Sequence, residues 1–166
     1  MDGRLEFSTV KDVVLFVLAI YAAALSTWNL VQALRKDRRL VRVTAGTKVP
    51  VIGSELGSSW AHLQAINIGQ RAVTISVLSF EVAPGKRIFN FRDDGRPDGM
   101  VDTPLPSTIS DGQSVQAHFS YKDIGQAMIS SGLRTPSRLV PVCEDSAGGI
   151  HRGEAWEVDP IEFLSM

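Results

Sequence analysis

The sequence predicts a mainly β protein that begins with a transmembrane helix and continues as an antiparallel β-sandwich with one short crossing helix. Residues 13–34 hold no Asp, Glu, Lys, Arg or His over 22 positions, whereas charged residues crowd both flanks. From Leu40 onward, short runs of apolar and β-branched residues are separated by Gly, Pro, Asn and Asp, as is typical of strands and turns. We therefore divide the 166 residues into a short N-terminal segment (1–12), the helix (13–34), a basic juxtamembrane segment (35–39) and a β-sandwich domain (40–166).

The apolar stretch is long enough to cross a membrane. A helix of this length reaches about 33 Å, and the hydrocarbon core of a bilayer is about 30 Å thick. A cleaved signal peptide is the alternative, with residues 13–21 as its apolar region and residues 22–24 as its small-residue cleavage site. However, apolar side chains continue beyond that point through Leu34, and the leading segment is acidic as well as basic. A buried helix of a soluble protein is disfavoured by the absence of charge.

The charges on the two flanks predict the orientation. The C-terminal flank carries Arg35, Lys36, Arg38 and Arg39 against Asp37, and positive residues next to a span stay in the cytoplasm. We expect a single-pass protein of the inner membrane, with its N-terminus outside and its C-terminal domain in the cytoplasm. The same four basic residues either only set this topology or also contact anionic lipid headgroups.

Small residues recur along the predicted helix. Ala19, Ala23 and Thr27 are spaced four apart, which lets two helices approach closely, and Asn29 could form a hydrogen bond across such a contact. Self-association of the helix into a homo-oligomer is the resulting hypothesis. The alternative is that alanine is simply common in such helices.

Within the domain, we expect strands at 40–44, 60–68, 72–82, 86–92, 114–121, 138–144 and 151–158, and a weaker edge strand at 47–52. Asn67–Arg71 has the composition of a hairpin turn, and a change of phase near Val77 suggests a bulge. Pro141 places its strand at an edge, because proline donates no ladder hydrogen bond. His118 falls on the polar, solvated face of its strand. The crossing helix is expected from Asp123 to Ser131 and is closed by a glycine.

Two sequence landmarks resemble those of immunoglobulin-like sandwich modules. Residues 65–69 (AINIG) followed by 73–75 (VTI) resemble an N-x-G strand corner, and 105–106 (LP) before 111–114 (DGQS) resemble a "P-G-x-S" strand start. Here the glycine of the second landmark follows Asp111 instead of proline. The whole layout also resembles uncharacterised bacterial single-pass proteins with one small sandwich domain. The resemblance implies an immunoglobulin-like fold and no particular activity.

Composition and spacing indicate no chemical site. The net charge of −1 gives no nucleic-acid footprint, and the single cysteine, Cys143, forbids an intrachain disulfide. His62, His118 and His151 lack the spacing of a metal-binding motif. The Asp-rich loop at residues 93–99 lacks the spacing of a calcium-binding loop. We therefore expect no catalytic residue, no metal and no cofactor.

The predicted function is that of a membrane-anchored, non-enzymatic interaction module that presents a small β-sandwich to an unknown protein partner. The contact surface is expected in the long loop 93–107, at Asp93, Asp94, Arg96 and Asp98, because long loops are uncommon unless they are functional or disordered. One alternative is a small enzyme, which requires Cys143, His62 and His151 to converge in a pocket. Another is an exported ligand-binding domain, which requires the opposite orientation.

Overall fold

A computed structural model describes residues 3–36, 38–52, 54–90, 97 and 99–166 of the chain, without the side chains of residues 3–9, 34–36 and 52. The chain divides into two units, Met1–Arg38 and Arg39–Met166. The predicted loop residues Asp93, Asp94, Arg96 and Asp98 lie outside the described residues, as does Asp37.

The first unit contains one helix, α1, from Gly3 to Lys36. Its apolar part, Val10–Ala33, is 24 residues long and could cross a membrane by its length and composition. The predicted helix is confirmed, but it begins ten residues earlier than the apolar stretch indicated. Residues 3–12 contain no proline, so nothing in them stops the helix. In the described residues, positions 3–12 thus continue the same helix as the apolar stretch.

The described residues of the second unit form two main antiparallel sheets and a small two-stranded one. In the first sheet, β1 (Val41–Lys48), β4 (Trp60–Asn67) and β8 (Ser114–Ser120) lie in that order. In the second, the order is β10 (Ile150–Arg152), β9 (Ser137–Asp145), β5 (Val73–Ala83) and β6 (Lys86–Phe89). Two further strands join the second sheet, β7 (Ser107–Ile109) on β5 and β11 (Trp156–Val158) on β9. A two-stranded hairpin, β2 (Val51–Ile52) with β3 (Glu55–Leu56), connects β1 to β4.

The two sheets share one apolar core. Alternate residues of each strand point inward, so Leu63 of β4, Val115 of β8, Phe80 of β5 and Leu139 of β9 are all fully buried. The Phe80 ring meets the Phe119 ring edge to face, with centroids 4.9 Å apart. The predicted mainly β, antiparallel character of the domain is confirmed.

In the part of the chain that the structure describes, two helices pack on this domain, where the sequence predicted one. Helix α2 runs from Tyr121 to Ser130 and is followed by Gly132, whose φ of +87° suits only glycine well. Helix α3, Pro160–Ser165, begins at Asp159, whose side chain accepts from the Ile161 amide. A helix of six residues is too short to be recognised from a periodic sequence pattern.

The domain has two ends, which matter for the sites described below. At the entry end, β1 begins at Val41, β4 finishes at Asn67 and β9 finishes at Asp145. At the far end, three strands finish: β1 at Lys48, β8 at Ser120 and β11 at Val158. They are followed by the β2–β3 hairpin, by α2 and by α3, respectively.

Asn67–Arg71 does not form the predicted hairpin, because β4 and β5 belong to different sheets. The segment is instead an arch between the sheets, held by the buried Asn67 side chain. Its amide nitrogen donates to the carbonyl oxygens of Arg71 at 2.8 Å and Ile109 at 3.0 Å, and its amide oxygen accepts from Gly69 N at 2.9 Å.

Pro141 was wrongly predicted to mark an edge strand. β9 lies inside its sheet, with β5 on one side and β10 and β11 on the other. The Pro141 carbonyl accepts from Gly153 N at 2.9 Å in the gap between β10 and β11. In an antiparallel strand the nitrogen and the carbonyl of one residue point to the same side, so the missing N–H falls in that gap and no ladder bond is lost. The predicted bulge is confirmed, since the register of β5 against β9 shifts between Ile75 and Val77.

Gly153 packs where the two sheets approach closely, and Gly153→Ala is expected to destabilise the domain. An added Cβ would overlap the Val43 carbonyl oxygen and stand 2.8 Å from Pro141 Cγ. Overpacking of this kind costs about 1–3 kcal/mol. Chemical denaturation of the full chain, followed by tryptophan fluorescence, measures the loss. Gly46→Ala is the control, because its Cβ would meet nothing within 4 Å. Equal midpoints for the two variants would contradict the packing described.

Candidate functional site

The described part of the long loop is attached to the edge of the first sheet. Thr103 N donates to Gln116 O at 2.9 Å, and the Gln116 side chain donates to Val101 O at 3.0 Å. Residues 101–103 thus run along β8 and cover its otherwise unpaired edge. This segment, which we call the latch, begins three positions after Asp98, in the loop where the partner contact was predicted.

Asp102 fixes the latch to His118. Its Oδ1 accepts from both the backbone nitrogen and Nδ1 of His118, each at 2.8 Å, while its Oδ2 accepts from Asn90 at 3.0 Å. Lys48 Nζ lies 3.3 Å from His118 Nε2. Because an ammonium group only donates, we assign the imidazole proton to Nδ1 and the acceptor role to Nε2.

His118 was predicted to be solvated, and this is wrong. Its alternation places it on the outer face of β8, but the side chains of Asp102 and Lys48 contact it there, and it is 1% exposed. The His62 ring lies beside it, with centroids 4.9 Å apart. Partial burial lowers the pKa of His62, more than its hydrogen bond to Gln116 raises it. The cluster is a polar layer that attaches a loop to a sheet.

Cys143 and the histidines do not converge as the enzyme alternative requires. His151 lies opposite Cys143 across the β9–β10 pair. His62 lies on the first sheet, with its ring against His118 on the outer face, while Cys143 belongs to the core between the sheets. Burial, with lesser contributions from the carboxylates of Asp145 and Glu144, raises the pKa of Cys143 to about 12. Within the described ranges, no three His, Cys, Asp or Glu side chains are grouped so that they could hold a metal ion.

The Cys143 thiol is expected to resist alkylation in the native protein. A pKa of about 12 instead of 9.0 lowers the thiolate fraction near neutral pH by about a thousandfold, and only the thiolate is nucleophilic. Iodoacetamide labelling with and without denaturant, followed by mass spectrometry, measures the protection. The control is the double variant Cys143→Ser with Ser146→Cys, which moves the thiol to an exposed position nearby. Native labelling of Cys143 as fast as that of the control would reopen the enzyme alternative.

A polar cavity of about 230 Å³ lies at the entry end of the domain. It is lined by Arg39, Arg71, residues 72–74 and residues 145–147. Its floor is the buried carboxylate of Asp145, whose Oδ1 accepts from Gly149 N at 2.8 Å and Ala147 N at 2.9 Å. Although burial opposes ionisation, these backbone donors and His151, 3.2 Å from Oδ2, keep the pKa of Asp145 below its usual value.

A different surface lies at the far end. A cavity of about 340 Å³ is lined by aromatic and aliphatic residues of β11, α2 and α3, among them Trp156, Tyr121 and Phe163. Its rim carries three carboxylates, those of Glu157, Asp159 and Glu162. At the same end, large apolar side chains are exposed on the hairpin and on α3, namely Val51 (68%), Leu56 (77%) and Ile161 (61%). We call this cavity, with its rim and these apolar residues, the far-end surface.

The remaining predicted site residues belong to α1 and the segment after it. Ala19, Ala23 and Thr27 share one stripe of the helix, but the Thr27 hydroxyl donates to Ala23 O at 2.9 Å within the helix. At about 100° per residue, Asn29 falls on a neighbouring stripe with Ser26. The side chains of Arg35 and Lys36 are not described, Arg38 is exposed, and Arg39 lies 3.8 Å from Asp145. The structure is of a single chain, so the predicted association of the helix stays a prediction.

Comparisons with known proteins add little. No family model matches the chain, and no curated protein matches it. The chain aligns with a solved X-ray structure, that of Northeast Structural Genomics Consortium target SoR45, at 12% sequence identity and a TM-score of 0.31. The alignment covers 72% of this chain and 86% of that one. A TM-score at this level supports no conclusion about fold or function.

Proposed function

We propose that this chain is a single-pass membrane protein whose immunoglobulin-like domain lies in the cytoplasm and binds a protein partner through its far-end surface. The observation that carries the proposal is the combination of a cavity with aromatic side chains in its lining, an acidic rim and exposed apolar side chains on one end of the domain. Exposed apolar groups that cluster, instead of occurring singly, are typical of interaction sites.

The strand order supports the immunoglobulin-like assignment. The order β1-β4-β8 corresponds to strands A, B and E of that fold, and β10-β9-β5-β6 corresponds to G, F, C and C′. The arch at Asn67 then connects B to C across the two sheets, as this fold requires. The hairpin β2–β3 and the helix α2 are insertions between A and B and between E and F.

The basic segment supports the cytoplasmic orientation. Arg35, Lys36, Arg38 and Arg39 follow the apolar part of α1 directly, and their charge favours retention on the cytoplasmic side. The lone cysteine agrees with a reducing compartment.

The chemistry of the far-end surface specifies the kind of partner. Trp156, Tyr121 and Phe163 in the cavity lining favour contact with a large apolar side chain, and the carboxylates of Glu157, Asp159 and Glu162 favour lysine or arginine next to it. We therefore propose a partner segment in which an apolar residue is flanked by basic residues. Anchoring the domain to a membrane raises its effective concentration for partners on the same membrane.

Site-specific photo-cross-linking tests the proposal. A photoreactive amino acid is placed at Leu56 or Ile161 of the far-end surface, and for comparison at Ile68, which is exposed at the entry end. We expect a discrete protein adduct from the first two positions and none from Ile68. The substitution Glu162→Lys should abolish the adducts while leaving the thermal midpoint unchanged, because this side chain is exposed. Equal adducts from all three positions, or none from Leu56 and Ile161, would contradict the proposal.

A further inference from the structure

Apolar side chains are exposed at the entry end of the domain, at the margin of the outer face of the first sheet. Leu40 and Ile68 are 45% and 44% exposed. They are neighbours, because the backbone nitrogen of Ile68 donates to the carbonyl oxygen of Leu40 at 2.8 Å. In the next row of the sheet, Arg42 of β1 pairs with Ile66 of β4. We call Leu40, Arg42, Ile66 and Ile68 the entry-end patch.

The patch carries positive charge. The Arg42 side chain is exposed and makes no ion pair or hydrogen bond in the part of the chain that the structure describes. In the sequence, residues 35–42 hold five basic side chains and one acid, Asp37. Asp111, in the turn before β8, is an exposed acid at the same end of the domain. It reduces the local excess of positive charge without cancelling it.

A short tether keeps the patch near the membrane that α1 would cross. The apolar part of α1 finishes at Ala33, the helix continues to Lys36, and Leu40 follows four positions later. With about 1.5 Å per helical residue and at most about 3.6 Å per extended residue, Leu40 lies within about 19 Å of the hydrocarbon boundary. Since the headgroup region extends about 5–7 Å beyond that boundary, the patch is within reach of it.

The chemistry of the patch suits a bilayer surface. Exposed aliphatic side chains enter the boundary between headgroups and acyl chains, and basic side chains beside them are attracted to anionic headgroups. An arginine covers apolar surface with its stem while its guanidinium stays in the polar layer. At the opposite end, the carboxylates of Glu157, Asp159 and Glu162 would be repelled by the same headgroups. The charges of the two ends therefore favour one orientation of the domain.

We propose that the entry-end patch lies against the surface of an anionic bilayer, with Leu40 and Ile68 in the headgroup region and Arg42 beside the lipid phosphates. The inference rests on the membrane anchor of the proposed function and is independent of the partner at the far-end surface. The patch adds a second membrane contact to that of α1. Two contacts fix the orientation in which the domain presents its far-end surface.

Photo-cross-linking of the full chain in lipid nanodiscs tests this contact. A photoreactive amino acid is placed in turn at Ile68 of the patch and at Leu56 of the far end. A third position, Ser146, is exposed at the entry end in the turn between β9 and β10, outside the patch. The discs contain phosphatidylcholine with or without phosphatidylglycerol, and adducts are identified by intact mass. With phosphatidylglycerol we expect a lipid adduct from Ile68, a severalfold smaller one from Ser146 and none from Leu56.

The outcomes separate this inference from the proposed function. Equal lipid adducts from Ile68 and Ser146 would show that the tether alone brings this end to the lipid, and would overturn the inference. No lipid adduct from Ile68, or an adduct to a second copy of the chain in its place, would also overturn it. A chain that does not incorporate into the discs would contradict the anchor and this inference with it, whereas incorporation without a lipid adduct contradicts this inference alone.

Charge variants of the chain with the photoreactive residue at Ile68 test the role of Arg42. Arg42→Gln should lower the apparent equilibrium constant of patch contact, read from adduct yield against phosphatidylglycerol content, by about fivefold. Lys122→Gln removes a charge of the same sign from an exposed position of α2 at the far end and should leave that constant unchanged. An equal loss in both variants would overturn the proposal. Unchanged amide exchange in core peptides shows that the variants are folded.

Discussion

Replacement of Asn67 by alanine is expected to lower the free energy of unfolding by about 3–5 kcal/mol. The side chain is fully buried and makes three hydrogen bonds, to the carbonyls of Arg71 and Ile109 and from the amide of Gly69. Alanine would leave two acceptors and one donor without this partner, at about 1–3 kcal/mol for each buried group. Denaturant titration of the full chain in detergent, followed by tryptophan fluorescence, measures the change.

Two further variants make the Asn67 prediction specific. Asn67→Asp keeps the acceptor for Gly69 but sets a carboxylate against two carbonyl oxygens, so it should destabilise strongly at pH 7 and less at pH 4, where protonation restores one donor. Gln64→Ala removes a hydrogen bond to Ser114 on the exposed face of the same strand and should cost less than about 1 kcal/mol. An Asn67→Ala variant as stable as Gln64→Ala would contradict the role of the arch.

Asp102→Ala is expected to cost about 2–4 kcal/mol and to free the latch. The carboxylate accepts from two nitrogens of His118 and from Asn90, and hydrogen bonds to charged groups are worth about 1.5–3 kcal/mol each. Because the Asp102 side chain is partly exposed, water can replace part of the hydrogen-bond energy that is lost. Faster amide exchange in residues 99–107 and at the edge of β8 should accompany the loss of stability.

The control for the latch is a hydrogen bond of similar length elsewhere. Thr108→Ala removes the exposed contact between the Thr108 and Thr74 hydroxyls, 2.8 Å apart, and should change stability by less than about 1 kcal/mol. If Asp102→Ala left exchange in 99–107 at the parent rate, the latch would be held by its backbone contacts to Gln116 and not by Asp102.

Local patterns predicted most elements of this fold. In strands β4, β5, β8 and β9, apolar residues either alternate with polar ones or follow one another continuously, as is typical of strands. The bulge near Val77 follows from a visible change in the phase of this alternation. Errors arose where the outcome depends on distant neighbours. The turn residues at Asn67–Arg71 suit a hairpin equally well, and only the pairing of β4 with β1 and β8 makes them an arch. Pro141 indicates an unpaired backbone site, which here is a gap between two short strands and not an edge.

The candidate sites were less accessible to sequence reasoning. His118 lies on the polar face of β8 as its parity indicates, but the latch that buries it is 15 or more residues away. Arg71 carries no motif, and its proximity to Arg39 and Asp145 results from the arch. One signal was available for the far-end surface, because residues 49–56 carry several apolar side chains in a segment too short to bury them.

The most direct test of the central claim is the topology of the full chain in cells. One reporter active only in the cytoplasm, and one active only outside it, are fused in turn to the C-terminus, and the size of each fusion is measured. We predict activity from the cytoplasmic reporter alone and a product that retains α1. Activity from the external reporter, or a product shortened by the length of the apolar helix, would contradict a cytoplasmic, membrane-anchored interaction domain.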